Sequence, residues 1–303
     1  MIVRVPASSA NLGPGFDALG MAVTRYIELS FDDHVEGEVA EVGDVTDGPE
    51  TGEDVDAASV GEGPPRRQAT EEHHPAVRAF TLLGGTGPIW VRSSIPMGRG
   101  LGFSGSARVA GLVAAMVQRE GSNFHPLDAA DELLHVATAL EGHADNIAPS
   151  IFGGVVATAG GRAVRVPLAF DPCVVVWVPS TTTSTEQSRA VLGSSVPFTD
   201  AVFNVGRTAL LVAALAAGDT NALRTATEDR LHQDQRFERA PASRLALEVA
   251  LDSGAWCGWL SGSGPTIAAL CPPDRCEALA AALPAEGRAA TLRIDHGGAV
   301  IER

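Results

Sequence analysis

The chain has 303 residues, 45% of them hydrophobic, and a formal charge of −15. That length holds one large domain or two ordinary ones with a buried core. Residues 32–72 carry 14 acids against 2 arginines and the remainder 23 acids against 20 arginines, so no basic stripe is available for a phosphate backbone and nucleic acid is excluded as a partner.

All 22 basic residues are arginines, which excludes a lysine base, a Schiff base and a Walker-type loop with its obligatory lysine. No apolar run approaches the ~18–20 residues of a membrane helix, so no membrane contact is expected. The opening residues lack a basic region followed by an apolar block, so no signal peptide is expected. Cys173, Cys257, Cys271 and Cys276 match no zinc spacing and fit a reducing, cytoplasmic setting. Cys271 and Cys276 are near enough in sequence to pair.

In chain order, MIVRVPASSA reads as a short strand entering a small-residue loop, and YIELSFDD as a second strand by its alternation. Residues of about 33–72 are acidic, Gly-rich and poor in large apolar side chains, and read as a surface loop. PIWVRSSIP is a strand. Beyond Ser104, Val109, Leu112, Val113, Met116 and Val117 recur at helical spacing and predict an amphipathic helix. PLDAADELLHVATALE is another, with Pro126 in its first turn. GGVVATAGGRAVRVPL reads as a hairpin and DPCVVVWVPS as a buried strand. AVFNVGRTALLVAALAAGD is a helix closed by Gly218. GWLSGSGPTIAALC is a glycine turn feeding a strand, and CEALAAAL a last helix. There is no internal repeat and no regular strand–helix alternation, so the class is α+β. A change of unit is expected near residue 168.

One junction carries chemistry. In PMGRGLGFSGSA, from Pro96, glycines at 98, 100, 102 and 105 run into the helix that begins near Ser104. A helix start presents unpartnered N–H groups and partial positive charge. Glycines before it let backbone wrap a ligand closely, which makes an anion site, most often for phosphate. An ordinary serine-capped turn is the plain alternative. Ser104 and Ser106 can cap the helix, bind phosphate or ligate Mg2+.

The stretch resembles the phosphate loop of the GHMP kinases. VPASSANLGPGFDALGMA, LEGHADNIAPSIFGGVV, STEQSRAVL, FNVGRTALLVAAL, EDRLHQDQR and LSGSGPTIAAL resemble, in order, blocks of the homoserine kinases within that superfamily. The resemblance implies two units, 1–168 like a ribosomal-protein domain and binding ATP, and 169–303 ferredoxin-like, with the active site between them. It implies ATP-dependent phosphorylation of a small alcohol, homoserine first, on the way to threonine, and a homodimer. A polyol acceptor, or a non-catalytic nucleotide-binding relative, are the alternatives.

By the same resemblance, Pro96, Gly98, Arg99, Gly100, Leu101, Gly102, Phe103, Ser104, Gly105 and Ser106 bind ATP, and Ser104 with Glu141 holds Mg2+. Asn11, Asp17, His143, Thr185, Arg189 and Arg236 match the positions that handle the amino acid. A zwitterion needs a carboxylate for its ammonium and arginines for its carboxylate, which assigns Asp17 to the first and Arg189 with Arg236 to the second. Asn11, His143 or Asn146 would orient the hydroxyl, and Asn146, His143 and Arg189 form the catalytic set. LSGSGP, from Leu260, is expected to close over the substrate or support the phosphate loop. Three departures stand out. Phe103 replaces a family serine, Gly105 replaces an alanine, and HHPAV, from His73, replaces the stretch expected near the adenine.

Overall fold

The computed structural model describes residues 1–31, 67–68, 73–121, 123–182 and 185–302. The acidic segment lies outside the described residues apart from a two-residue strand at Arg67–Gln68.

The first part of the chain contributes strands β1 (Ile2–Ala10), β2 (Leu19–Ser30), β3 (Arg67–Gln68), β4 (Trp90–Ser93), β5 (Val155–Ala159) and β6 (Arg162–Val166). Its helices are α1 (Pro75–Leu82), α2 (Phe103–Glu120), α3 (Ala130–Glu141) and α4 (Ala144–Phe152). The second part runs β7 (Cys173–Pro179), α5 (Thr185–Ala190), α6 (Phe198–Ala217), α7 (Leu223–Ala226), α8 (Gln233–Phe237) and α9 (Pro241–Asp252). It ends with β8 (Cys257–Leu260), β9 (Ile267–Cys271), α10 (Cys276–Ala282), β10 (Gly287–Leu292) and β11 (Val300–Glu302).

The strands form two antiparallel sheets. One has the order β11-β1-β2-β4-β3, with the β5–β6 hairpin also joined to β2; the other has the order β10-β7-β9-β8. In the second, a strand, intervening helices, two strands, a helix and a strand give the ferredoxin-like βαββαβ plan. The sheets divide after β6, near the boundary expected at 168, but the last strand crosses back, pairing Ile2 with Glu302. The first sheet therefore uses both ends of the chain.

Period-two alternation shows in β7. Val174 and Val176 join the main core with the first sheet and its helices, while Cys173, Val175 and Trp177 join a smaller core under α9 and α10. In α2 the five apolar positions that predict the helix are buried, and so are Ala107, Ala110, Gly111, Ala114 and Ala115. The helix is thus enclosed on nearly all sides rather than along one stripe. Small residues permit this, since a Cβ on Gly111 would strike the backbone of Ala76 in α1.

Other elements differ from expectation in instructive ways. Pro126 opens a short 3-10 turn that leads into α3. GWL is itself a strand, so the glycine turn joins β8 to β9. α6 ends at Gly218 in the left-handed conformation, as expected. However, α6 has the length and apolar composition of a membrane-crossing helix, with mean hydropathy 1.4, contrary to the expectation that the chain holds no such run. A disulfide joins Cys173 to Cys276 rather than Cys271 to Cys276.

Candidate active site

The loop between β1 and β2 enters a cavity of about 270 Å3 between the two sheets. Asn11, Leu12 and Asp17 of this loop hold positive φ angles of 72, 48 and 56°, which non-glycine residues adopt only when surroundings over-determine them. Those surroundings are visible. Asn204 Nδ2 and Thr208 Oγ1 on α6 donate to Pro14 O at 3.1 and 3.0 Å, and the His232 ring nitrogen Nε2 lies 2.8 Å from Gly13 O. Asp229 fixes the rear, accepting from Asn204 Nδ2 at 2.7 Å and from the His232 and Gln233 amides at 2.9 and 2.8 Å. The FNVGRT and EDRLHQD blocks therefore build the back wall of this loop.

The loop presents Asp17, whose Oδ1 accepts from Arg189 Nη2 at 2.6 Å. Asn11 Oδ1 accepts from the Asp17 amide at 3.1 Å, and Asn11 Nδ2 donates to Gly262 O at 2.9 Å. Arg236 reaches the same carbonyl at 3.0 Å from α8, and is 5% exposed. Burial first, then the charge of Arg189, push the Arg236 guanidinium down to about 10, so it stays cationic at neutral pH. Phe16 lies under both arginines, each guanidinium carbon 5.3 Å from its ring centroid.

The first turn of α4 faces these charges with His143, Asp145 and Asn146. Burial, then the neighbouring Arg189, hold the His143 imidazolium below its ordinary value against the pull of Asp17, which favours the neutral ring. Asp145 is 1% exposed, and its Oδ1 has no hydrogen-bond partner among the described residues. Burial chiefly, then the charge of Asp17, push its carboxyl up to about 7. Asn146 Oδ1 accepts from Ser8 Oγ at 3.2 Å.

The opposite wall is the glycine loop. Gly98, Gly100 and Gly102 have φ angles of 63, 79 and 70°, and Gly102 caps α2 without a side-chain bond. A Cβ on Gly100 would strike the Ser261 carbonyl. Ser261 Oγ donates to Gly100 O at 2.6 Å, so the second glycine turn braces the first. Pro96, Gly98, Arg99, Gly100, Leu101, Gly102, Phe103 and Ser104 all line the cavity. Gly105 and Ser106 do not: Gly105 packs on Ile147, and Ser106, fully buried, donates to Pro6 O at 2.8 Å. Ser104 Oγ donates to Glu141 Oε2 at 3.0 Å, and Arg108, one helical turn beyond Ser104, contacts both groups. A hydroxyl and a carboxylate already sharing a cation form a hard-oxygen pair suited to Mg2+.

Of the residues singled out for the amino acid, Asn11, Asp17, His143, Arg189 and Arg236 line this cavity, as do Glu141 and Asn146. Thr185 opens α5, the helix that carries Arg189. Phe16, Asp145 and Arg108 were not singled out. Asp145 adjoins Asn146 within HADN, and Arg108 follows Ser104 at the i+4 spacing of a shared helix face; these were the available signals.

Residues 70–154 match the GHMP kinases N terminal domain and residues 211–289 match GHMP kinases C terminal. A homoserine kinase of Moorella thermoacetica is 38% identical over 315 residues, covering 99% of both chains. One from Streptomyces avermitilis is 41% identical over 312 residues, covering 99% of this chain and 94% of that protein. In three dimensions the chain is similar to a homoserine kinase from Cytophaga hutchinsonii, with a TM-score of 0.75, 24% identity, and 99% and 96% of the two chains covered. It is also similar to a Methanococcus jannaschii mevalonate kinase, with a TM-score of 0.65, 13% identity, and 97% and 98% covered. At those identities the two structures speak for the fold.

Proposed function

The chain belongs to the GHMP kinases, and from that membership we propose that it transfers the γ-phosphoryl group of ATP to the side-chain hydroxyl of L-homoserine, giving O-phospho-L-homoserine for threonine synthesis. One observation carries the choice of acceptor. Two arginines, one of them ion-paired to the exposed Asp17, and the buried Asp145, whose Oδ1 has no hydrogen-bond partner among the described residues, line the same cavity as an anion-binding helix start. Two positive and two negative groups are the complement of a zwitterion.

The substrate carboxylate lies between Arg189 and Arg236, where bidentate geometry is available. Its ammonium lies between Asp17 and Asp145. The Asp17–Arg189 pair exchanges its internal contact for these two, so little net charge is uncovered when the amino acid enters. Asp145 arrives partly protonated near neutral pH and ionises against the ammonium. Asn11, His143 and Asn146 hold the hydroxyl toward the glycine loop. His143 is neutral and can both donate and accept. Loop amides and the α2 N-terminus take the phosphate oxygens. Ser104 and Glu141 would hold Mg2+, which when bound neutralises charge on the transferring phosphate. Arg108 keeps Glu141 and Ser104 together. No dedicated base is needed, because in a loose transition state the nucleophile's proton leaves late.

A panel of L-homoserine, N-acetylhomoserine, homoserine methyl ester and simple polyols tests this reading. Homoserine should exceed each in kcat/KM by about tenfold or more, the loss expected for one charge-assisted contact. Equal use of a polyol would overturn it.

Three further points belong to this proposal. The units 1–168 and 169–303 meet at the cavity, with the final strand returned to the first. The enzyme works in the cytoplasm, where ATP and free amino acids are present. It pairs with a second copy through α6, where Phe198, Val202 and Val205 are 83, 54 and 72% exposed. Apolar positions 198, 202, 205, 209, 212 and 216 are spaced symmetrically about 207. An antiparallel pair would set Phe198 against Ala216, Val202 against Val212 and Val205 against Ala209, mostly large on small. Val205→Glu should convert a dimer to a monomer by light scattering; an unchanged mass would remove α6 from the interface.

A further inference from the structure

Three of the four cysteines meet at the end of the second sheet farthest from the kinase cleft. Cys173 opens β7 and stands opposite Cys271, the last residue of β9, across an antiparallel ladder. The short turn Pro273–Arg275 then folds α10 back so that its first residue, Cys276, joins them. The three sulfurs lie within 4.8 Å of one another. They sit in the smaller core with Val175, Trp177 and Leu279; Cys271 is fully buried, while Cys173 and Cys276 keep 7% exposure. Cys257 belongs to the main core, on the other face of the sheet. β9 is five residues long, so the cluster stands about 13 Å along the strand from the turn that braces the phosphate loop.

Cys173 and Cys276 are joined as a disulfide, and Cys271 is a free thiol beside them. Reduction would leave three soft donors converging from three elements. A Zn–S distance of about 2.3 Å with tetrahedral angles places sulfurs about 3.8 Å apart, within the spread seen here. The cysteines follow no complete zinc motif in sequence, but Cys271 and Cys276, with four residues between them, have the spacing of one half of such a motif, and the fold brings Cys173 to them. Thiolates select d10 ions, Zn(II) and Cu(I) above all.

We propose that Cys173, Cys271 and Cys276, in their reduced state, form a binding site for a soft d10 metal ion, and that the Cys173–Cys276 disulfide closes it. Binding replaces three S–H protons by one ion, and three protons leave to solvent. Closure transfers two electrons and two protons from Cys173 and Cys276 to a small disulfide such as oxidised glutathione, which leaves as two thiols. The ion would tie β7, β9 and α10 at one point, as the disulfide ties β7 and α10.

Cadmium reports the site directly, because thiolate-to-metal charge transfer absorbs where the kinase cleft, which holds no cysteine, cannot. The full-length chain, reduced with a phosphine, should bind one Cd2+ with the charge-transfer band, and Zn2+ should compete for it. The glutathione-oxidised chain should not bind. Cys271→Ser and Cys276→Ser should weaken Cd2+ on the order of tenfold or more, while Cys257→Ser leaves it unchanged. Homoserine phosphorylation without added soft metal should stay the same in all of them. Absence of the band in the reduced wild type overturns the proposal, as does equal binding in the oxidised chain. That wild-type pair decides the matter even if a variant misfolds. Among folded variants, unchanged binding in Cys271→Ser would do the same.

Discussion

The phosphate-loop wall of the cavity is made of backbone, and the amino-acid wall of side chains. On the first, three glycines in left-handed conformations shape the chain and Ser261 ties it down, with Ser104, Glu141 and Arg108 as its charged corner. On the second, Asp17, Asp145, Arg189, Arg236 and His143 converge from four separate elements, with Arg189 paired to Asp17 and Arg236 tied to Gly262 O. A backbone site tolerates side-chain change so long as its path is kept. A side-chain site loses function with each group removed. The departures from the family pattern, Phe103, Gly105 and the HHPAV stretch, fall on or beside the backbone wall, which is where such tolerance predicts them.

The charged corner of the backbone wall is the exception and should show the largest effect. Glu141→Ala and Ser104→Ala should each lower turnover several hundredfold, since each removes a proposed ligand of Mg2+ and loss of Glu141 also takes the carboxylate from Arg108. Rate assays across Mg2+ concentrations check this. Near-normal turnover at saturating Mg2+ in both variants would take the metal elsewhere.

Next come the arginines. Losing a charge-assisted partner costs about 1.5–3 kcal/mol, or roughly ten- to a hundredfold. Arg236→Ala and Arg189→Ala should show this as a raised KM for homoserine with kcat largely kept. Arg236, the more buried, should suffer more, because Gly262 O and the His232 ring lose a neighbour as well. An acceptor without a carboxylate should hardly notice either change. Equal losses for both kinds of acceptor would mean that the arginines act on the phosphate instead.

Asp145 sharpens the contrast through pH. Its carboxyl is raised to about 7, so the folded chain retains a proton that the unfolded chain releases above about pH 4. Its contribution to stability is therefore full at low pH and lost as pH rises through about 7. Homoserine affinity should run the other way, KM falling several-fold over the same rise as the carboxylate forms against the ammonium. Asp145→Asn should flatten both curves and raise KM. A loss confined to kcat would make Asp145 a base rather than an ammonium partner.

How far the site could be read in advance follows the same division. The glycine loop is continuous, and its meaning lay in one short segment together with the start of α2. The arginines and Asp17 were found through block resemblance, because residues 17, 189 and 236 are adjacent only after two sheets have packed. Phe16 and Asp145 were passed over. A phenylalanine beside a charged loop has no local signature of cation stacking, and Asp145 takes its character from burial and then from the charge of Asp17, both of which only the fold supplies. Short-range elements such as the β5–β6 hairpin and the Gly218 cap were legible because turn chemistry fixes them. The return of β11 to β1 and the meeting of Cys173 with Cys276 span nearly the whole chain and 103 residues respectively, beyond any periodicity.

Phe103 gives the smallest catalytic effect and the most direct test of the comparison. Its ring is buried in the main core and meets His74 edge-on, centroids 6.1 Å apart, while one side still borders the cavity. His74 in turn caps α1, its Nδ1 accepting from the Ala76 amide at 3.2 Å. The phenylalanine thus packs α2 onto α1 and shapes the glycine loop from beneath, while the proposed phosphate contacts come from backbone amides. Phe103→Ser should open a cavity and lower stability by about 3 kcal/mol, toward the low end for large-to-small core changes because the site is not wholly enclosed. The KM for ATP should stay within about twofold, since no phosphate-facing amide is moved by more than relaxation of the loop. Thermal melts with a panel of nucleoside triphosphates and acceptors separate the outcomes. A variant as stable as the wild type that exchanges its preferred donor or acceptor would show that this side chain reads the ligand, and that the backbone wall is not blind to its side chains.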